Sequence, residues 1–374
     1  MNTRTLAILL VALALIACNE TFTIGMEHTP RETVTPVSMA TSHPAIATSM
    51  SATATSAAAF TPIPTTPTTV VLPIPAENYI DDRSTPSQVV VSYYNALNRG
   101  EYLRAYNYWI NPSGTQGSFS KFASGYKDTS RVDLVFGSIT SGTSAGLIYY
   151  TIPVLLKATA INGVRANWAA CYVIHQARPE NFSLPPFNPM GIIWGSAQAY
   201  DASVGDASAL STACSVYPNN GPAVAVSRNP LNVDKTNFLD DRSGPLETVT
   251  SLLNALNRKE YVRAYGYYQN PSVYPGSYYP YAAGYANTAT ITAVFGTSQS
   301  QVAAGNPYYK QPLAMRVQKT DASIQTFVGC YTLQLVQPAG QSAPPFHPMG
   351  ITAGEFNVVD NNVDVNKLLP AACR

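Results

Sequence analysis

The stretch NALNRGEYLRAYNYW, Asn95 to Trp109, returns almost unchanged as NALNRKEYVRAYGYY at Asn254 to Tyr268. The shift is 159 residues, and at that shift the match runs well past the quoted stretch. Asp81-Asp82-Arg83-Ser84 falls on Asp240-Asp241-Arg242-Ser243, and Asn111-Pro112-Ser113 on Asn270-Pro271-Ser272. Gly125-Tyr126 falls on Gly284-Tyr285, Phe136-Gly137 on Phe295-Gly296, and Pro189-Met190-Gly191-Ile192 on Pro348-Met349-Gly350-Ile351. No gap is needed. A period this long marks a duplicated domain, not a solenoid. The chain has 374 residues, enough for two domains of ordinary size.

The cysteines keep the same register. Cys171 and Cys214 stand 43 residues apart, as do Cys330 and Cys373. In an exported protein the simplest reading is one disulfide inside each repeat. Pairing across the repeats is the alternative on paper. Two thiols per repeat with no shared histidine make a poor zinc site, so no metal is expected.

The fifth cysteine lies in a different setting. Arg4 supplies a positive start, and Leu6 to Ile16 is an apolar run too short to span a bilayer comfortably. It ends in Leu15-Ile16-Ala17-Cys18, which resembles the bacterial lipobox. That resemblance implies a signal peptide over 1–17, lipid on Cys18, and an extracytoplasmic protein anchored to a bacterial membrane. An ordinary secretory signal is the alternative. Residues 18–76 are dominated by Ser, Thr, Ala and Pro without apolar period, and read as a disordered tether. The first repeat is placed at 77–214, a linker at 215–236 and the second repeat at 237–374. Net charge is +1 and 11% of residues are charged, which excludes the basic field that nucleic acid requires.

Within a repeat, Thr85-Pro86-Ser87-Gln88 predicts a helix start: a cap with proline at the first helical position. Val90, Tyr93, Tyr94 and Leu97 line one helical face, as do Val249, Leu252, Leu253 and Leu256. A second helix carries Tyr102, Ala105, Tyr106 and Trp109, and a third spans Phe119 to Tyr126. The period then becomes two. Val132, Leu134 and Phe136 alternate with Arg131 and Asp133, and Ala166, Trp168, Ala170 and Tyr172 alternate with Arg165, Asn167 and Cys171. A long strand from Leu147 to Ala158 contains Pro153, matched by Pro312, which predicts an edge or a bulge. A last strand begins at Ile192. Helices followed by an antiparallel sheet give an α+β fold with the helices on one face.

This order, with YYNALNRGEYLRAYNYW as paired opening helices, resembles the nuclear transport factor 2-like superfamily, also called cystatin-like. The resemblance covers nearly all of each repeat. It implies two tandem cone-shaped domains, each with N-terminal helices packed on a curved antiparallel sheet and a pocket at the wide end. Because the family often dimerises, it also implies an internal pseudo-dimer with sheet packed on sheet about an approximate twofold axis. Tyr106, Trp109, Tyr126, Tyr265, Tyr268 and Tyr285 would then floor the cones and line any pocket.

The family includes enzymes, so each candidate is weighed. Asp133 alternates out of phase with the apolar row, which faces it to solvent, and its counterpart is Thr292. His175 is matched by Gln334 and His347 by Asn188, so neither belongs to a repeated set. Gly142-Thr143-Ser144-Ala145-Gly146 fits a serine-hydrolase elbow but lies between two strands, where that elbow cannot form. The polar residues that do recur are Asp82, Arg83, Asn95, Arg99, Glu101 and Arg104. They read as a network holding the fold, with a carboxylate-binding arginine as the sharper alternative. The sequence therefore predicts no catalytic residue and no cofactor. It points to a surface-anchored, non-catalytic interaction lipoprotein whose partner is a hydrophobic small molecule or an envelope protein. A small-molecule enzyme of isomerase, cyclase or hydrolase type is one alternative. A scaffold binding only protein or wall polymer is the other.

Overall fold

A computed structural model describes residues 71–178, 183–185, 187, 190–217, 223–224, 231–343 and 346–374. Residues 1–70, which hold the expected signal peptide, Cys18 and most of the expected tether, lie outside the described residues. In the first repeat, Thr85 caps α1 (Pro86–Asn98) by accepting the Gln88 N–H, with proline at its start. Then come α2 (Tyr102–Tyr106), a single turn at Pro112–Thr115, and α3 (Phe119–Tyr126). Five strands follow: β1 (Thr129–Phe136), β2 (Ile139–Ser144), β3 (Leu147–Ala160), β4 (Arg165–Ala177) and β5 (Gly191–Ala199). A tail helix, α4 (Asp206–Ala213), closes the repeat, and β6 (Ala223–Val224) lies in the linker.

The second repeat runs α5 (Pro245–Asn257), α6 (Tyr261–Tyr265) and α7 (Tyr278–Gly284). Its strands are β7 (Thr288–Phe295), β8 (Gln299–Ala303), β9 (Asn306–Lys319), β10 (Ile324–Gln334) and β11 (Gly350–Val359). Each repeat is thus α+β, an antiparallel sheet with its helices ahead of it, and the two form tandem domains. Both belong to one compact unit. Register shifts fall at equivalent places, Thr129/Arg131 with Thr288/Thr290 and Val173/Ile174 with Thr332/Leu333. An extra residue in one strand bends and twists the sheet there.

Strand parity decides which face is covered by what. Leu134, Val154, Leu156, Trp168, Ala170 and Tyr172 join the core under the helices. Val135, Leu155 and Ala209 form a second cluster on the opposite face, beneath α4. Cys171 shares the outer parity, so its disulfide to Cys214 ties the tail to that face. Cys330 to Cys373 does the same in the second repeat, where Leu369 packs on Ala314 and Val328. Gly195 and Gly354 leave room for the rings of Tyr172 and Tyr331; a Cβ there would stand 2.8 or 2.7 Å from them.

Four expectations change. Pro153 is on a central strand, β3, and in register opposite Cys171. It falls where β1 hands over to β2 along the same side of β3, so its missing N–H leaves no gap in a ladder. Trp109 lies beyond α2, because after Tyr106 the chain turns to bond the start of β5: Ile192 donates to the Tyr108 carbonyl at 2.8 Å and Ile110 to the Ile192 carbonyl at 2.9 Å. The ordered body starts before residue 77. Leu72 exchanges backbone bonds with Leu134, and Ile74 is buried in the core. Finally, α1 is buried almost all round, not on one face. Its polar side, with Ser92 and Asn95, is covered by the junction between repeats.

That junction is reciprocal. Arg83 N–H donates to the Asp240 carbonyl at 2.7 Å, and Arg242 N–H to the Asp81 carbonyl at 2.7 Å. Asp81 N–H donates to Ser243 Oγ at 2.9 Å, and Asp240 N–H to Ser84 Oγ at 3.0 Å. Asp82 and Asp241 face each other as an antiparallel bridge. Each contact is answered by its equivalent, the pattern of an isologous interface. Among the described residues, hydrogen bonds between the repeats come from these two segments.

Candidate functional site

Behind the junction lies the network anticipated from the recurring polar residues. Arg104 is fully buried. Its Nε donates to Glu101 at 2.7 Å, its Nη2 to Asn95 Oδ1 at 2.8 Å, and its Nη1 to the Ile80 carbonyl at 2.5 Å. Tyr79 covers the guanidinium, 4.6 Å from ring centre to Cζ. Arg263 repeats the arrangement with Glu260 at 2.6 Å, Asn254 at 2.9 Å, the Leu239 carbonyl, and Phe238 as its cover at 4.7 Å. Asn95 in turn donates to the carbonyls of Pro75 and Asn78 at 2.6 and 2.8 Å. Arg99 joins from the rim, bonding Glu101 at 2.7 Å.

Electrostatics favours the charged forms of Arg104 and Asp81. Burial works against the Arg104 cation, but Tyr108, Tyr79, Glu101 and Asp81 outweigh it and raise its pKa. Burial would raise the Asp81 carboxyl; Arg83, Arg104, the Tyr108 hydroxyl at 2.8 Å and Arg242 of the other repeat bring it below the usual aspartate value. Every one of these groups is occupied by its neighbours. A guanidinium so enclosed has no face left for a substrate carboxylate, and the Asp81 carboxylate already accepts from the hydroxyls of Tyr108 and Tyr79.

The aromatic set lies between helices and sheet. Tyr106, Trp109, Tyr126, Tyr265 and Tyr268 are buried and Tyr285 is half-buried. They meet edge to face: Trp109 with Tyr172 at 6.3 Å, Tyr268 with Tyr281 at 5.7 Å, and Tyr281 with Tyr285 at 5.2 Å. Tyr106 and Tyr265 hydroxyls donate to the carbonyls of Gly117 and Gly276, each at 2.7 Å. Burial pushes the Tyr285 hydroxyl up to about 12. These rings pack on one another, as core aromatics do.

The remaining candidates are peripheral. Asp133 accepts from Arg131 and the Ile74 N–H at the sheet surface. His175 lies half-buried beside Tyr149, and burial lowers its pKa. Ala145 and Gly146 form the turn between β2 and β3, so the elbow-like sequence is a hairpin. Among the described residues no group of three or more His, Cys, Asp or Glu side chains could hold a metal. Nor is any helix there long and apolar enough to cross a membrane.

Sequence reasoning missed a shallow cleft on the outer face of the second sheet, walled by Thr292, Val294, Ala314, Arg316, Thr326 and Val365. Only Arg316 among these is charged, so the cleft offers contact without an acid–base pair. No protein-family profile, curated protein or solved structure matches the chain.

Proposed function

We propose that this protein is a non-catalytic interaction module, two nuclear transport factor 2-like domains joined as an internal pseudo-dimer and held off a bacterial membrane by lipidated Cys18 and its tether. The observation that carries the reading is the use made of the recurring polar residues. All eight of Asp81, Asn95, Glu101, Arg104, Asp240, Asn254, Glu260 and Arg263 are buried; each arginine bonds the glutamate and asparagine of its own repeat, and Asp81 and Asp240 accept from the hydroxyls of Tyr108 and Tyr267. A duplicated active site would leave at least one such set facing a cleft. The two intra-repeat disulfides suit an oxidising, extracytoplasmic compartment, and support that part of the reading.

A thermal-shift screen against lipids, hydrophobic metabolites and wall fragments tests it. The expected outcome is stabilisation by one binding class without chemical change of the ligand. A pH-dependent turnover abolished by one substitution in the domain interior would replace the module with an enzyme.

A further inference from the structure

The two sheets differ along one edge. In the first repeat the start of β2 is met on its outer side by β6, with Ile139 opposite Val224 and Thr140 opposite Ala223. The outer side of β1 is occupied by Leu72, bonded both ways to Leu134 at 2.7 and 3.0 Å. In the second repeat, among the described residues, β8 pairs with β9 alone and no bridge joins Leu231 to Ala293. All of β8 is exposed, and Val302 reaches 75%.

The register says which backbone groups are open. Ala304 and Gly305 form the β8–β9 turn, both with positive φ, 49° and 77°. A two-residue turn of this kind makes its flanking residues, Ala303 and Asn306, exchange backbone bonds. Alternation then points the N–H and C=O of Ser300 and Val302 away from β9. Pro307, which has no N–H, sits opposite Val302, at a pair that exchanges none. Exposed edges are normally blunted by lysine, proline, inward charge or a bulge. Gln299-Ser300-Gln301-Val302-Ala303 has none of these and pairs with β9 without a register shift.

We propose that the outer edge of β8 docks an extended, uncharged segment of a partner polypeptide, rich in small and β-branched apolar residues, by strand addition. The first repeat supplies the template. There the same edge takes Ala223–Val224 at Ile139 and Thr140, the counterparts of Ser298 and Gln299 at the start of β8, and these two residues lie within the sequence Gly221-Pro222-Ala223-Val224-Ala225-Val226. The edge itself carries no charge, so an uncharged segment meets no mismatch. This deepens the interaction-module reading, rests on it, and names its contact surface.

The probe is a fluorescent peptide of residues 221–226 titrated into the intact chain and followed by anisotropy. Binding is expected to be saturable and to weaken about tenfold in Val302→Pro, which deletes one outward N–H and no bond to β9. Val302→Thr, which keeps the backbone donor, retains binding. Circular dichroism checks that the fold survives. Should Val302→Pro not fold, hydrogen exchange of the wild-type chain decides instead: the peptide must slow the Ser300 and Val302 amides. Absence of saturable binding, an affinity unmoved by Val302→Pro, or amides that stay fast overturns the proposal. So does self-association lost in Val302→Pro, which makes a second copy the occupant. Turnover of a small molecule would remove the module reading and leave the edge standing. A protein partner held elsewhere, with no peptide bound, would do the reverse.

Discussion

Arg104 and Arg263 occupy equivalent positions and make equivalent bonds: to a glutamate three residues back, to an asparagine on the opening helix, and to an aromatic cover. Lys157 and Arg316 also occupy equivalent positions, on the outer face of the sheet, and share nothing else. Lys157 bonds Asp206 and Tyr200, each at 2.6 Å, under α4. Arg316 finds Val365 where Asp206 stands in the first repeat, and the tail there is a pair of short 3-10 turns, Val365–Lys367 and Leu369–Ala371. Val135 is fully buried beneath α4, while its equivalent Val294 is 42% exposed. The difference teaches where a duplicated fold is free to diverge. A buried charge must keep every partner or be left uncompensated, so the network survives intact in both copies. Surface cover has no such constraint, and the sheet edge and outer face have drifted apart.

The largest effect tests the identical part. Arg104→Ala leaves Glu101 buried without its inner partner and should cost about 3–5 kcal/mol in urea unfolding. Arg263→Ala should cost a similar amount by the same measurement. A gap above about 2 kcal/mol between them would break the equivalence.

Next come the disulfides. Opening the 43-residue loop of either repeat, by Cys171→Ser with Cys214→Ser or Cys330→Ser with Cys373→Ser, should cost about 4 kcal/mol in the chain-entropy picture. Mass spectrometry of non-reduced peptides checks the pairing first. A Cys171 peptide found free, or joined to Cys330, contradicts it.

The smallest effect sharpens the contrast between outer faces. Burial would raise the Asp206 carboxyl, but bonds from Lys157 and Tyr200 lower it overall. A depressed carboxylate stabilises above its unfolded value and loses that contribution as pH falls through the folded one. Lys157, lowered by burial but raised more by Asp206 and Tyr200, loses its share only at alkaline pH. Both groups are partly exposed, so about 0.5–1 kcal/mol is at stake. Stability followed from neutral pH into acid should fall less in Asp206→Asn than in the parent chain. An identical slope would remove this ion pair from the account.

Much of each domain was legible because local chemistry dictates it. The Thr85 cap with Pro86 starts a helix, and Phe119–Tyr126 forms one over the predicted range. Alternation on β4 put Cys171 on the face opposite Trp168 and Tyr172, which is where the tail covers it. Other features were not legible. Leu72 and Ile74 follow a Pro/Thr-rich run, and nothing in that composition marks them as sheet and core residues. Trp109 continues a helical period, yet the β5 edge captures its backbone first.

The sequence by itself determined the duplication, the pairing register of the cysteines and the helix-then-sheet order of each repeat. These depend on spacing and period, which are properties of neighbours along the chain. Only the tertiary structure decided that Asp81–Ser84 and Asp240–Ser243 bond each other, and that among the described residues the start of β2 has a covering strand while β8 has none. Those outcomes depend on which distant backbone reaches an open donor or acceptor first, and no local pattern encodes that distance.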